Sequence, residues 1–233
     1  MPHPPRRPQA ILFDLYGTLV PNFPPDEYRQ ATEDIARILG VSTDDFQAKW
    51  GERFLTRVRG KDGGVTDSIQ AVLLELGVQV GPEALRRATE RRLAFARYLF
   101  DRSDETMPVL HSLRESGIPL ALVSDCTFEA VECWDSHPLF AVFSARSLSC
   151  ELGVMKPDPE RYRQPLSKLN VEAEKCWYVG DGGSREFTGA RDVGLFTICY
   201  CQPGSRDFVY DEDDSSADLK IGEFSELLAL LQN

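Results

Sequence analysis

The chain has 233 residues, 42% of them hydrophobic and 27% charged, and its 37 acids outweigh 26 lysines and arginines to leave a net charge of −11. This near-average composition excludes a disordered or fibrous protein, and the length suits one large domain or a core carrying an insertion. The acidic balance argues against a nucleic-acid partner, which needs a basic face, and no run approaches the about 18 apolar residues that would make a membrane one.

Residues 1–9 carry four prolines and the pair Arg6-Arg7, and they read as a disordered leader. The apolar run that follows is broken by Asp14 and is too short for a signal-peptide core. Residues 10–13 (Ala-Ile-Leu-Phe) stop at Asp14, just before Tyr16-Gly17-Thr18, which predicts a buried strand ending in a tight turn. From residue 21 to residue 103 the apolar spacing turns helical. Ile35, Ile38 and Leu39, then Phe46, Trp50 and Phe54, then Ile69, Val72, Leu73 and Leu76, then Leu85, Leu93, Phe95 and Leu99 recur at that period, with glycines between them. The pattern predicts an inserted helical-bundle cap of four helices, with residues 10–20 and 104–233 forming the catalytic core.

In that core, helical patterns run over 105–116, 128–136, 159–169, 186–193 and 224–231. Strong strands are predicted at 119–123, ending in Ser124-Asp125, and at 176–179, ending in Gly180-Asp181; weaker ones are predicted at 141–143 and 195–198. Short apolar strands between helices predict an α/β fold, a parallel sheet with helices on both faces. In such sheets the active site lies off the carboxyl ends of the strands. The acidic run 211–214 reads as a solvated loop. The six cysteines (Cys126, Cys133, Cys150, Cys176, Cys199 and Cys201) show neither Cys-x-x-Cys pairs nor a histidine at zinc spacing. They are expected to be buried free thiols in a reducing, cytoplasmic setting.

Asp14, at a buried strand end where Gly17 lets the chain turn, is well placed to be a carboxylate nucleophile. Thr18 and Ser124 offer hydroxyls to an oxyanion, and Lys156, ahead of Pro157, is presented from a loop that can bring its ammonium to the same pocket. Asp181 and Glu186 flank a glycine turn entering a helix. Asp14, Asp181 and Glu186 carry three negative charges against one positive charge on Lys156, so an anionic substrate calls for a divalent cation.

In this order, Asp14-Leu15-Tyr16-Gly17-Thr18, Ser124, Lys156-Pro157 and Gly180-Asp181-Gly182-Gly183-x-x-Glu186 resemble the four motifs of the haloacid dehalogenase-like hydrolase superfamily over about residues 10–198. The resemblance implies a Rossmann-like core in which Asp14 forms a covalent intermediate that water later hydrolyses. It implies that Thr18 or Ser124, with Lys156, holds the transferring group. It also implies Mg²⁺ on Asp14, the main-chain carbonyl of Tyr16 and Asp181, with Glu186 contributing directly or through water. The expected partner is a small anionic substrate, and the expected state is a monomer or homodimer.

Tyr16 departs from the phosphatase pattern, which has a second aspartate there to protonate the leaving alcohol; dehalogenases of the superfamily carry tyrosine. A phenol with a pKa near 10 is a poor acid and no base at neutral pH. The substrate is therefore expected to be either a phosphate with a good leaving group, such as an acyl or aryl phosphate, or a haloacid. A third expectation is a degenerate member that binds without turnover. Dehalogenases replace the acidic fourth motif with neutral residues, which this chain does not. They also place an arginine after a cap tryptophan, where this chain has Gly51 after Trp50, and Arg57, Arg59 and Lys61 are the alternatives. Asp125 is expected either to cap the helix after it or to replace the missing acid, and Arg185 to be an exposed helix-start residue.

Overall fold

The computed structural model describes residues 7–200 and 217–232. The acidic run 211–214, Cys201 and residues 1–6 of the expected leader lie outside the described residues. Arg7 and Gln9 are tied to the body of the protein: Arg7 Nη2 donates to the Ser116 carbonyl (2.6 Å), and the Gln9 amide to the Lys175 carbonyl (2.7 Å).

The first strand, β1 (Ile11–Phe13), is buried along its whole length, which is why it reads as an unbroken apolar run. Five helices follow before the chain returns to the sheet: α1 (Pro25–Leu39), α2 (Thr43–Glu52), α3 (Phe54–Val58), α4 (Val65–Glu75) and α5 (Pro82–Asp101). Four were expected in this stretch. The fifth arises because the chain breaks at Arg53 (φ −88°, ψ 5°) and restarts as the short α3. The helix ends have local causes. Pro25 and Pro82 sit at first-turn positions that need no amide donor, Ser42 Oγ accepts from the Asp45 amide (3.4 Å), and Gly40 closes α1 in the left-handed region (φ 69°). Ile35, Phe46, Trp50, Ile69 and Val72 give these helices a hydrophobic cluster of their own.

The rest of the chain alternates helices with strands: α6 (Met107–Glu115), β2 (Leu120–Ser124), α7 (Glu129–Cys133), β3 (Ala145–Leu148), α8 (Ser149–Leu152), α9 (Glu160–Leu169), β4 (Trp177–Gly180), α10 (Glu186–Asp192), β5 (Phe196–Tyr200), β6 (Leu219–Ile221) and α11 (Glu226–Leu230). The sheet is parallel throughout, in the order β3-β2-β1-β4-β5-β6. One apolar cluster on it includes Ile11, Phe13, Leu122 and Val179; another includes Leu12, Val123, Tyr178 and Phe187. The α/β parallel sheet expected from the sequence is therefore present.

The weak strand expected at 141–143 is not. Pro138 opens a 3₁₀ turn over Pro138–Val142, with His137 Nδ1 accepting from the Leu139 amide (3.3 Å). The strand comes instead at β3, an edge strand whose Arg146 and Ser147 break any apolar run. The opposite edge, β6, has Lys220 at its centre and went unpredicted for the same reason. The five described cysteines are buried, and none forms a disulfide. Among the described residues, no helix is long and apolar enough to cross a membrane.

The helical insertion is fastened to the core by a buried ion pair. Arg92 Nε of α5 donates to Glu129 Oε1 of α7 (2.5 Å), both side chains being about 4% exposed. The Val65 amide adds a bond to Glu132 Oε1 (2.8 Å). Removing one partner strands the other charge in a dry interior. Arg92→Met is expected to cost about 3–5 kcal/mol in urea unfolding, and Arg92→Met with Glu129→Leu to recover most of that loss.

Candidate active site

The strand order reverses across β1 and β4: from β1 the chain adds β2 and β3 on one side, then crosses to add β4, β5 and β6 on the other. The crevice at such a reversal is where open parallel sheets bind ligands. Asp14 follows β1, Ser124 ends β2, and Asp181 follows β4. The pairings of Phe13 with Leu122 and with Val179 hold these strand ends level.

Asp14 is buried, and its amide donates to the Val179 carbonyl (2.9 Å). The turn after it depends on Gly17, which has φ 84° and lies against Asp181, so a side chain there would be both strained and in collision with the Asp181 carboxylate. Thr18 Oγ1 lies 3.3 Å from Asp14 Oδ2 and donates to it. Lys156 Nζ reaches Asp14 Oδ1 at 2.6 Å and Glu186 Oε2 at 2.7 Å. Glu186 is fully buried (0% exposed): its Oε1 accepts from the Gly182 amide (2.8 Å) and its Oε2 also accepts from Tyr178 (2.6 Å). Tyr162 donates to the Glu186 carbonyl (2.9 Å).

Asp181 leaves β4 into a loop that uses the left-handed region three times, at Gly182 (φ 98°), Ser184 (φ 56°) and Arg185 (φ 50°). Two of these residues carry a Cβ, so strain is concentrated where Asp181 is presented. The Gly183 amide donates to Asp181 Oδ1 (3.0 Å), and Asn22 Nδ2 donates to Asp181 Oδ2 (3.4 Å). Arg185 is exposed, as expected.

Carboxylate oxygens of Asp14, Asp181 and Glu186 lie within 4.8 Å of one another, and such a group can hold a metal ion. Without one, burial is the main force on each carboxyl. It pushes Asp14 up to about 6 and Asp181 up to about 6, with Asp181 raising Asp14 and Glu186 raising Asp181. Glu186 is raised to about 7, by burial first and by Asp14, against the pull of Lys156. Burial alone would lower Lys156, but Asp14 and Glu186 hold it well above its ordinary value. Burial also lifts the Tyr16 phenol well above 10.

A cavity of about 150 Å³ opens here. Asp14, Tyr16, Lys156 and Asp181 of the expected site residues line it, whereas Thr18, Ser124 and Glu186 do not. Ser124 Oγ is buried without a hydrogen-bond partner, and the Ser124 carbonyl accepts from Arg161 Nη2 (2.6 Å). Of the three basic residues considered in the insertion, Arg59 and Lys61 are exposed. Arg57 is buried off the cavity wall, stacked 3.7 Å over the Trp50 ring and donating to the Trp50 carbonyl (2.5 Å).

Asp125 does not cap the next helix. Both its carboxylate oxygens accept from the Lys156 amide at 3.2 Å, and Arg161 lies 3.5 Å away, so it anchors the lysine loop. Asn22, Arg161, Tyr162 and Tyr178 also support the site and were not singled out in the sequence. They are single residues without motif spacing; only Tyr178 had a signal, its place two residues before the Gly180-Asp181 strand end.

The haloacid dehalogenase-like hydrolase family model matches residues 8–194, and the chain belongs to that family. It is a hydrolase of the superfamily. A glyceraldehyde 3-phosphate phosphatase of Methanopyrus kandleri is 25% identical over 232 residues, covering 96% of this chain and 97% of the relative. The (S)-2-haloacid dehalogenase H-109 of Pseudomonas putida is 23% identical, with 94% and 96% covered. The crystal structure of a 2-haloacid dehalogenase from Pseudomonas syringae pv. tomato shares the fold at a TM-score of 0.67, with 23% identity and 96% and 97% covered.

The raised carboxyl values set a sign for stability. A carboxyl that binds its proton more tightly folded than unfolded contributes fully below its ordinary value, 3.8 for aspartate and 4.5 for glutamate. The contribution is lost as pH rises through 6 to 7. In chelator, the cluster's contribution is therefore expected to fall across that window. Millimolar Mg²⁺ at pH 7.5 should raise the Tm, and Asp181→Asn should abolish the Mg²⁺ effect. Differential scanning calorimetry with and without Mg²⁺ checks both.

Proposed function

We propose that this hydrolase is a Mg²⁺-dependent phosphatase that acts on small phosphorylated molecules through Asp14, with a leaving group that departs without acid assistance. The observation that carries the reading is the complete acidic set around one lysine. Three carboxylates against one ammonium leave two negative charges, which one divalent cation cancels, and an all-oxygen donor set suits a hard ion. Asp14, Asp181 and the main-chain carbonyl of Tyr16 would hold Mg²⁺, with Glu186 adding its charge directly or through water. Bound there, the ion would offset negative charge on the transferring phosphoryl group.

This chain's own residues account for the rest. Lys156 fixes the Asp14 carboxylate, and a carboxylate oxygen bonds to phosphorus as the ester bond breaks and the leaving oxygen takes the electron pair. Lys156, on the cavity wall, would hold the phosphoryl oxygens, while Thr18 supports Asp14 from off that wall and the unpartnered Ser124 hydroxyl is the buried donor beside it. Water then cleaves the aspartyl phosphate, releasing inorganic phosphate and restoring Asp14. Tyr16, its phenol well above 10, is a poor general acid for a leaving group at neutral pH. That limits the substrate to phosphates whose leaving group is already a weak base. The helical insertion serves as the cap over the site. The relatives named as phosphatases support this chemistry.

Tyr16 also favours a second reading, metal-independent haloacid dehalogenation, because a departing halide needs no proton. Against it stand the retained Asp181 and Glu186, and the absence of Arg57 from the cavity wall.

Phosphate release from aryl and acyl phosphates is expected in Mg²⁺, is expected to vanish in chelator, and should fall at least about 10³-fold in Asp14→Asn. Tyr16→Asp should speed alkyl phosphate hydrolysis by about 10²-fold. Halide release from a 2-haloacid in chelator, with no phosphate release in Mg²⁺, would establish the second reading instead.

A further inference from the structure

The cavity above Asp14 has two unlike halves. Its floor carries the charged groups, while Tyr16, Phe23, Phe54, Leu55, Val58 and Met155 supply an apolar wall. Of the other polar side chains lining the cavity, Asn22 and Asp125 are already engaged, and Ser184 is the third. Asn22 donates to Asp181, and Asp125 accepts from the Lys156 amide. A hydroxyl-rich leaving group would meet that wall without partners, at a desolvation cost. Phe54 and Leu55, from the short helix α3, are 47% and 43% exposed at this cavity, although large apolar side chains are usually withdrawn from water. Tyr16 and Phe23 pack against each other with ring centroids 4.6 Å apart and planes tilted by 32°, and both line the cavity.

We propose that the preferred substrates are aryl phosphate monoesters, with the aromatic leaving group held against Phe54, Leu55 and the Tyr16–Phe23 pair. This rests on the phosphatase reading and narrows it. Two independent features meet on one chemical class. The wall demands an apolar leaving group, and the lack of an acid at Tyr16 demands one that departs as a weak base. A phenolate satisfies both, whereas an acetate leaving group satisfies only the second and an aliphatic alkoxide only the first. In the step itself, the bond from phosphorus to the phenolic oxygen breaks as the Asp14 oxygen bonds to phosphorus, and the phenolate takes its proton from water after departure.

The test compares phenyl phosphate with acetyl phosphate as substrates, and phenylphosphonate with methylphosphonate as inhibitors, in Mg²⁺. The inhibitors are free of leaving-group reactivity. The wild-type protein is expected to bind phenylphosphonate at least about tenfold more tightly than methylphosphonate. Phe54→Ser should lower the ratio of kcat/KM for phenyl over acetyl phosphate by about tenfold, chiefly through KM for the aryl ester. Leu74→Ser, at an 81% exposed position off the cavity, should leave that ratio unchanged. Equal binding of the two phosphonates, or an unchanged ratio in Phe54→Ser, would overturn the aryl preference while leaving the phosphatase reading in place. No phosphate release from either ester would overturn both.

Discussion

A buried lysine held between two buried carboxylates governs this molecule. Lys156 sits 2.6 Å from Asp14 and 2.7 Å from Glu186, with all three side chains withdrawn from water. Charges in such a place are tolerated only when each is paired and fixed by further hydrogen bonds. The surrounding elements supply those bonds. Asp125 grips the Lys156 amide, Arg161 spans Asp125, the Ser124 carbonyl and the Ser147 hydroxyl, and Tyr178 holds Glu186 from the neighbouring strand. Through these contacts β2, β3 and β4 all position the carboxylate at the end of β1. A slip in register at any of these strands would part the ammonium from its partners.

The same constraint explains the charge of the site. One ammonium cannot neutralise three carboxylates packed within 4.8 Å, so burial and mutual repulsion raise their proton affinity. A divalent cation relieves that repulsion without protons and leaves Asp14 ionised, the form a nucleophile needs. On the proposed reading, Tyr16 sets what the nucleophile can expel. Its ring packs against Phe23 and Phe100, and its phenol, raised further by burial, is a poor general acid for a leaving alkoxide. In that proposal the acidic set favours phosphate chemistry, while the tyrosine restricts it to leaving groups that need no proton.

The sheet was legible because β1, β2 and β4 are buried on both faces and so appear as unbroken apolar runs ending in polar residues. The edge strands β3 and β6 were not legible, since Arg146 and Lys220 interrupt them and only backbone pairing makes them strands. Asp14, Lys156, Asp181 and Glu186 stood out because a tight turn, a proline or a glycine loop beside each marks a local backbone requirement. For Asp125 the local options were a helix cap or an acid; it caps no helix, and its partner is 31 residues away at Lys156. Arg161 and Tyr178 are long-range supports of the same kind, which no spacing rule reveals. Arg57 was a candidate to bring positive charge to the site, yet it is buried on Trp50.

Whether Asp14 is the nucleophile can be read directly by mass spectrometry of protein acid-quenched during turnover of phenyl phosphate with Mg²⁺. The predicted result is a peptide containing Asp14 that is heavier by one phosphoryl group, absent when Mg²⁺ is chelated. Turnover with the phosphoryl group on another residue, or with none on Asp14, would contradict it.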